Sequence, residues 1–501
     1  MMNNFKIVTD VSKGRCLEST ASFSVGDVIF EEDAILFGSA DDDNDLVERN
    51  VYDFLSEYNP QQGISLDDIC NFAFDLSKMD RVESLDSVRC FLQAVVYVLR
   101  FSKLSDDVNT PSSLKVQLEL LNQLQPSSQA HFEKVVTKVR KKHKKVIPSS
   151  ISNSLAGRLL GVVCNNQMEL DQYGGSAVFP TCAITEHSCT PNCSFSTRSP
   201  TDSNHRVIIT AVKDIVPGDR LSIDYGNNFY HSRRVRVTHL RNVYGFECSC
   251  PLCAIPPSVP LVDHFRVFTC LSCGTGKACI VYSQGTDSPV AVDGEEDEEV
   301  MISCVCQDCG WTADEDQTAT FIALEEDLCD NQPENWPEYQ VWLRSVTSTG
   351  LVGCTMHGHH YMRFWLEDDM GMCATEEAEM LEGQNAVEFY DRAVDIFSEL
   401  VMKMDSNPGV PEVHSEKVIY RDRIGQLLIA AADACNVMGD GDKRENYLKR
   451  AQELFTEAFQ ISVLCAGILA PNTQQLKVLA ESTPSTVSEL RAHYNKYLPR
   501  R

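Results

Sequence analysis

The sequence predicts an α+β chain in which a β-rich unit, split by a helical insertion, is followed by a cysteine-rich stretch and a helical C-terminal part. Three observations predict it. Strand-like alternation appears in two separated places, before residue 40 and again from about 150 to 245. Apolar residues at helical spacing fill the gap between them and the chain beyond Glu376. Cysteines gather in short-spaced groups between residues 246 and 312. At 501 residues the chain exceeds a single core, which rarely passes ~250–300 residues. The expected division is 1–40 and 151–245 for the β-rich unit, 41–150 for the insertion, 246–312 for the cysteine-rich region, 313–375 for a connecting segment and 376–501 for the helical domain.

In the first part, Phe5, Ile7 and Val8 lead into Lys13-Gly14-Arg15-Cys16-Leu17, and Val25-Gly26-Asp27 turns into the run Val28-Ile29-Phe30. Gly14 can take φ > 0 and lets a ligand approach the backbone. Asp41 to Asp45 reads as a solvated acidic loop. Leu85 opens a helical pattern through Val88, Phe91, Val95 and Leu99. The basic cluster Lys138 to Lys145 (KVRKKHKK) reads as a solvated helix face. After Val178 strand periodicity resumes, and Pro217-Gly218-Asp219 turns the chain into a strand from Leu221 to Tyr225.

A formal net charge of −28 argues against a grip on nucleic acid and suits a cationic, lysine-rich partner. No basic n-region precedes an apolar run at Met1 to Asp10, and no 18 uncharged apolar residues follow one another, so the expectation is a soluble intracellular chain with no membrane contact. A monomer located in nucleus or cytoplasm is expected beside it. In that setting the 21 cysteines are read as thiols and metal ligands. Cys270-x2-Cys273 and Cys306-x2-Cys309 have the spacing of two zinc knuckles, with Cys279 and Cys304 as alternatives and Glu295 to Glu299 as a loop between them. Cys248, Cys250 and Cys253 supply three thiolates of a second closed site, which needs four. His357, His359 and His360 beside Cys354 have no recognised ligand spacing and are assigned a structural role.

The stretch Ala177 to Ser194 (AVFPTCAITEHSCTPNCS) holds His187-Ser188-Cys189 and Pro191-Asn192. Leu221 to Gly226 (LSIDYG), Tyr244-Gly245-Phe246 and the cysteine triplet follow in order. With Lys13-Gly14-Arg15, Asp86-Ser87-Val88-Arg89 and Val163-Cys164-Asn165, this resembles the SET-domain protein-lysine methyltransferases of the SMYD type over nearly the whole chain. That group carries a MYND zinc finger inside a split SET domain and a TPR-like helical C-terminal half. Here the finger is missing, since Cys70 alone lies between Ala40 and Ser84. Two further departures are Glu186, where the group has asparagine, and Cys16, where it has the second glycine of Gly-x-Gly.

The resemblance implies transfer of a methyl group from S-adenosyl-L-methionine to a lysine of a histone or another protein. It implies Tyr225 as the catalytic residue; Tyr225, Tyr244 and Phe246 as the substrate channel; and Lys13, Gly14, Arg15, Asn165, Glu186, His187, Tyr225 and Phe246 as the cofactor site. It makes Cys189 the fourth ligand of the post-SET zinc, with Cys193 the local competitor. From periodicity alone, Tyr225 would be a packed aromatic at the end of a strand. Tyr390 to Leu400 and Leu448 to Ala458 are similar and lie 58 residues apart, longer than the ~34-residue TPR period, so an irregular helical array is expected, able to bind partners on a concave face. The alternative function is a catalytically impaired SET scaffold acting as an adaptor, favoured by Glu186.

Overall fold

The structure, a computed structural model, describes residues 4–38 (except 12), 46–104 (except 83), 119–170 (except 122, 125 and 127), 175–198, 205–256 (except 227), 258–284, 300–329, 333, 335–347 and 355–497. The acidic runs Asp41 to Asp45 and Glu295 to Glu299, and Cys354, lie outside the described residues.

Strands β1 (Phe5–Asp10) and β2 (Gly14–Ser19) form an antiparallel hairpin running from Phe5↔Ser19 to Asp10↔Gly14. Its turn closes on Gly14 at φ 77°, a left-handed value that a side chain resists. After β3 (Val28–Asp33) and β4 (Leu36–Gly38) come the helices α1 (Leu46–Tyr58), α2 (Leu66–Ser77), α3 (Leu85–Leu104) and α4 (Gln129–Lys142). α2 starts on a capping box in which Ser65 and Asp68 satisfy each other's backbone N–H. α3 buries Phe91, Leu92, Val95 and Leu99 and rests on β4, where a Cβ on Gly38 would stand 2.3 Å from the Asp86 carbonyl oxygen. The basic cluster is more than a solvated face. Arg140 donates to the carbonyls of Ile147, Pro148 and Ile151, and Lys142 and His143 both meet Asp75.

Between residues 151 and 245, expected to be β-rich, the chain forms two helices as well. The first, α5 (Asn153–Asn166), is capped by Ser152 and buries Ala156, Leu159, Leu160 and Val163, which repeat at helical rather than strand spacing. Gly157 and Gly161 let it close on α4, since a Cβ would stand 2.5 Å from Glu133 Cα and 2.6 Å from the Phe132 ring. The second is α6 (Arg233–Tyr244), capped by Ser232 and ended by Gly245 at φ 75°.

The strands β5 (Gln167–Glu169), β6 (Ser176–Val178), β7 (Glu186–His187), β8 (Cys193–Arg198), β9 (Arg206–Ala211) and β10 (Ser222–Ile223) complete this part. They make sheets of order β4-β6-β5 and β3-β9-β8 and a parallel pair of β7 with β10. The strand expected from Leu221 to Tyr225 is shorter than its apolar pattern suggests. The Asp224 carboxylate accepts the Gly226 N–H at 3.2 Å and the Asn228 amide at 3.0 Å, which curls the chain and takes Tyr225 out of the ladder.

The cysteine-rich region forms an antiparallel sheet of β11 (Leu261–Thr269), β12 (Lys277–Gln284) and β13 (Val300–Cys306). Residues 313–375, expected as a connecting segment, hold helices α7 (Glu315–Cys329) and α8 (Trp336–Thr347) and most of α9 (Tyr361–Glu379). They fold because this sheet needs a cover: Phe321, Trp342 and Val346 close over Phe268 and Ile280, and buried Arg266, Glu325 and His360 bond one another beneath. The array continues as α10 (Gly383–Ser406), α11 (Ser415–Met438), α12 (Gly441–Ala466), α13 (Pro471–Glu481) and α14 (Val487–Tyr497). The two similar stretches fall in α10 and α12. The end of α12 packs on β8 and β9, where the Ser196 hydroxyl donates to the Ala466 carbonyl at 3.3 Å. Among the described residues no helix is long and apolar enough to cross a membrane.

Gly425 of α11 faces the Phe455 ring of α12, which would lie 2.6 Å from an added Cβ. Gly425→Val is expected to lower stability by roughly 1–3 kcal/mol through overpacking, read as a reduced denaturation midpoint. An unchanged midpoint would show that the two helices part freely.

Candidate active site and metal centres

Glu32, buried on β3, accepts the N–H groups of Thr181 and Cys182, each at 3.0 Å, and so fixes the turn that delivers β7. β7 then docks beside β10: Glu186 N–H donates to Leu221 O at 3.2 Å and Ser188 N–H to Ile223 O at 3.0 Å. Asn192 adds a second tie, accepting from the Ser222 N–H at 2.9 Å and donating to Arg220 O at 2.8 Å.

This pairing sets His187 against Tyr225, with ring centroids 5.2 Å apart. Tyr225 is half-buried by surface area, but its hydroxyl turns inward and donates to Thr185 O at 2.7 Å. Its N–H donates to His187 Nδ1 at 3.2 Å, and its carbonyl accepts the Tyr244 hydroxyl at 3.1 Å. The rings of Tyr244 and Phe246 stand 5.1 and 6.1 Å from that of Tyr225. Burial pushes the Tyr225 phenol above its ordinary pKa and lowers the His187 imidazole to about 4. Both groups are therefore neutral near pH 7, and Tyr225 keeps its proton.

On the neighbouring hairpin, Lys13 Nζ lies 2.8 Å from Glu186 Oε2, whose side chain is 10% exposed. Burial opposes the charge on Lys13, and the Glu186 carboxylate outweighs it, so the ammonium pKa is raised. The Cys16 thiol is pushed up to about 12, first by burial and then by Glu186. A Cβ on Gly14 would meet nothing within 4 Å, so this backbone is open. Arg15 turns away, donating to Gln123 Oε1 at 2.9 Å. Asn165, at the end of α5, donates to Val243 O at 3.4 Å and so touches the end of α6 that carries Tyr244. The predicted residues thus converge, except that the Arg15 side chain points to the insertion.

Two groups of four thiols form, each with its sulfurs within 4.8 Å of one another: Cys189, Cys248, Cys250 and Cys253, and Cys270, Cys273, Cys306 and Cys309. Cys193 is outside the first, donating to Asn192 Oδ1 at 3.3 Å. Cys279 and Cys304 are buried outside the second. The second group leaves no room at Gly276, where a Cβ would stand 2.6 Å from Cys273 Sγ and 2.7 Å from Cys306 Sγ. Cys273 and Cys309 are exposed, whereas Cys248, Cys250 and Cys253 are buried. His357 and His359 stack on each other, and His360 caps α9 by accepting the Met362 N–H at 3.2 Å; they belong to no metal group among the described residues.

Sequence reasoning missed Arg236. It is 1% exposed, donates to the carbonyls of His231 and Leu252, and lies near Cys253, Asp263 and Cys189. A buried guanidinium beside two of these four sulfurs fits a thiolate centre that stays negative after it binds a divalent cation. The signal was in RRVRVTHL, where Arg233 and Arg236 share the helical face of Val237 and Leu240. The Thr185 carbonyl and Glu32 were also missed, and no local pattern marks either.

A model of the SET domain matches residues 14–226. Histone-lysine N-methyltransferase SMYD3 of Homo sapiens is 35% identical over 91 residues, which is 18% of this chain and 19% of that protein. Protein-lysine N-trimethyltransferase SMYD5 of Mus musculus is 36% identical over 90 residues, 18% of this chain and 21% of that one. The matched stretches span about a fifth of these relatives' lengths. A crystal structure of the SET domain of LSMT bound to lysine and AdoHcy aligns over 98% of this chain and 95% of that chain at 11% identity, with a TM-score of 0.32, too low to argue from. The motifs now stand around one tyrosine, the domain match begins at Gly14 and ends just past Tyr225, and both relatives named are SMYD proteins: over residues 14–226 the chain is similar to SET domains, and in part of its length to methyltransferases of the SMYD type.

Proposed function

We propose that this chain is a protein-lysine N-methyltransferase that takes its methyl group from S-adenosyl-L-methionine. The supporting observation is Tyr225, a phenol turned inward among His187, Tyr244 and Phe246 where distant chain segments meet. S-adenosylmethionine, when bound, supplies a methyl group on a sulfonium, and the lysine lone pair would form a nitrogen–carbon bond to it as the carbon–sulfur bond breaks and a neutral thioether leaves. A lysine amine has a pKa of ~10.4 and must shed its proton before it attacks. The walls formed by Tyr225, Tyr244 and Phe246 disfavour the ammonium by desolvation and offer ring faces to cationic carbon. Tyr225, which keeps its proton, orients the amine; alignment supplies most of the rate.

The cofactor's amino-acid end is a zwitterion, and Lys13 with Glu186 presents one cation and one anion to it beside the open backbone at Gly14 and Arg15. Asn165, the backbone at His187 and Phe246 complete the proposed site. Each thiol group has the donor set of a closed structural zinc site, and the first would pin residues 248–253 beside the His187 loop. The acidic chain suits a lysine-rich protein substrate such as a histone, with the helical domain as a surface for capturing it. The second reading, a SET scaffold without catalysis, is favoured by the Lys13–Glu186 pair, which already satisfies its own charges.

With labelled cofactor and core histones or cell extract, Tyr225→Phe is expected to lower kcat on the order of 10²-fold, by analogy with removing one preorganised donor; equal signal from both proteins removes the assignment. In calorimetry S-adenosylmethionine should bind, and Lys13→Met should weaken it about ten-fold, the worth of one charged hydrogen bond. No heat with the native chain, but heat with Glu186→Asn, selects the scaffold reading. Elemental analysis should find two zinc equivalents per chain, and a chelator should take first the one held by exposed Cys273 and Cys309. A content well below two contradicts the paired sites.

A further inference from the structure

His187 stands between the first thiol group and Tyr225 and touches both. Its Nδ1 accepts the Tyr225 N–H at 3.2 Å, so the ring proton sits on Nε2, which lies 3.2 Å from Cys189 Sγ. The side chain is 0% exposed, so water does not compete for either bond. Asp224 Oδ1 is 3.6 Å from Nδ1, beyond hydrogen-bond reach, and is already occupied by Gly226 and Asn228. Tyr225 and Phe246 flank the imidazole at centroid distances of 5.2 and 6.0 Å. Cys189 comes from the loop after β7, whereas its three companions come from beyond α6. A metal-bound thiolate is a stronger acceptor than a thiol, so loading the centre tightens the Nε2–H bond and holds the ring plane.

We infer that His187 is a positioning residue that couples the Cys189–Cys248–Cys250–Cys253 metal centre to Tyr225. One ring nitrogen holds a metal-bound sulfur and the other holds the Tyr225 backbone. Beyond stapling two chain segments, the centre then sets where the Tyr225 hydroxyl sits. The catalytic part of this inference rests on the methyltransferase reading, and the metal part does not.

The two bonds can be separated. His187→Gln keeps an amide N–H near the Nε2 position and leaves no acceptor at Nδ1; His187→Asn keeps an acceptor near Nδ1 and leaves nothing opposite Cys189. Zinc release from the full chain to a chromogenic chelator is followed for both, with the Cys270–Cys273–Cys306–Cys309 equivalent as the internal standard. His187→Asn is expected to release the other equivalent at least about ten-fold faster than the native chain, and His187→Gln to hold it. His187→Gln should lower kcat without raising the KM for the protein substrate. If His187→Asn does not fold, His187→Ala against His187→Gln makes the same comparison. Equal release from all proteins overturns the inference, as does faster release from the Gln variant or equal acceleration of both equivalents. If the native chain transfers no methyl group, the functional reading fails while the release rates still decide this one.

Discussion

The parallel pairing of β7 with β10 spans only Glu186↔Ser222 and His187↔Ile223, yet every proposed chemical group in the SET half is placed relative to it. So short a ladder has little stability of its own. It persists because Glu32 fixes the turn that enters it and Asn192 bonds across to both Arg220 and Ser222. Shifting the register by one residue would turn His187 away from Tyr225 and carry Cys189 away from its three partners.

Around that pairing the interior polar groups are arranged in complementary states. A neutral imidazole, a neutral phenol and the Thr185 carbonyl that accepts the phenol's hydrogen bond sit on one side, while buried Arg236 lies near the sulfurs on the other. An unbalanced charge here would cost several kcal/mol. This gives the two thiol groups different characters. One is enclosed and electrically answered by the protein, and the other stands at the surface with Gly276 pressed against its sulfurs.

The parts of this arrangement legible in the sequence were those whose chemistry is local. Cys270-x2-Cys273 and Cys306-x2-Cys309 announce a metal site by spacing alone, and His187-Ser188-Cys189 with Tyr225 carries a resemblance because the motif is contiguous. What escaped depends on approach. The Lys13–Glu186 pair joins residues 173 apart, and nothing near Glu186 names its partner. α5 was overlooked because Gly157 and Gly161 weaken a helical pattern, though close contact with α4 is why glycine stands there. Helices α7 and α8 looked like a connection because the apolar face they cover belongs to β11 to β13, whose need for a cover shows only once that sheet is formed.

The contact of α12 with the SET strands has a practical meaning. Leu464 sits against Gly26, at 3.2 Å from where a Cβ would be, and the Ser196 hydroxyl bonds the last residue of the same helix. The C-terminal helices are thus not an appendage that can be clipped off: a shortened gene product ending before Gly441 would strip α12 from β8 and β9 and leave the face carrying Ser196 open to water. Biochemistry on this chain belongs on the uncut polypeptide.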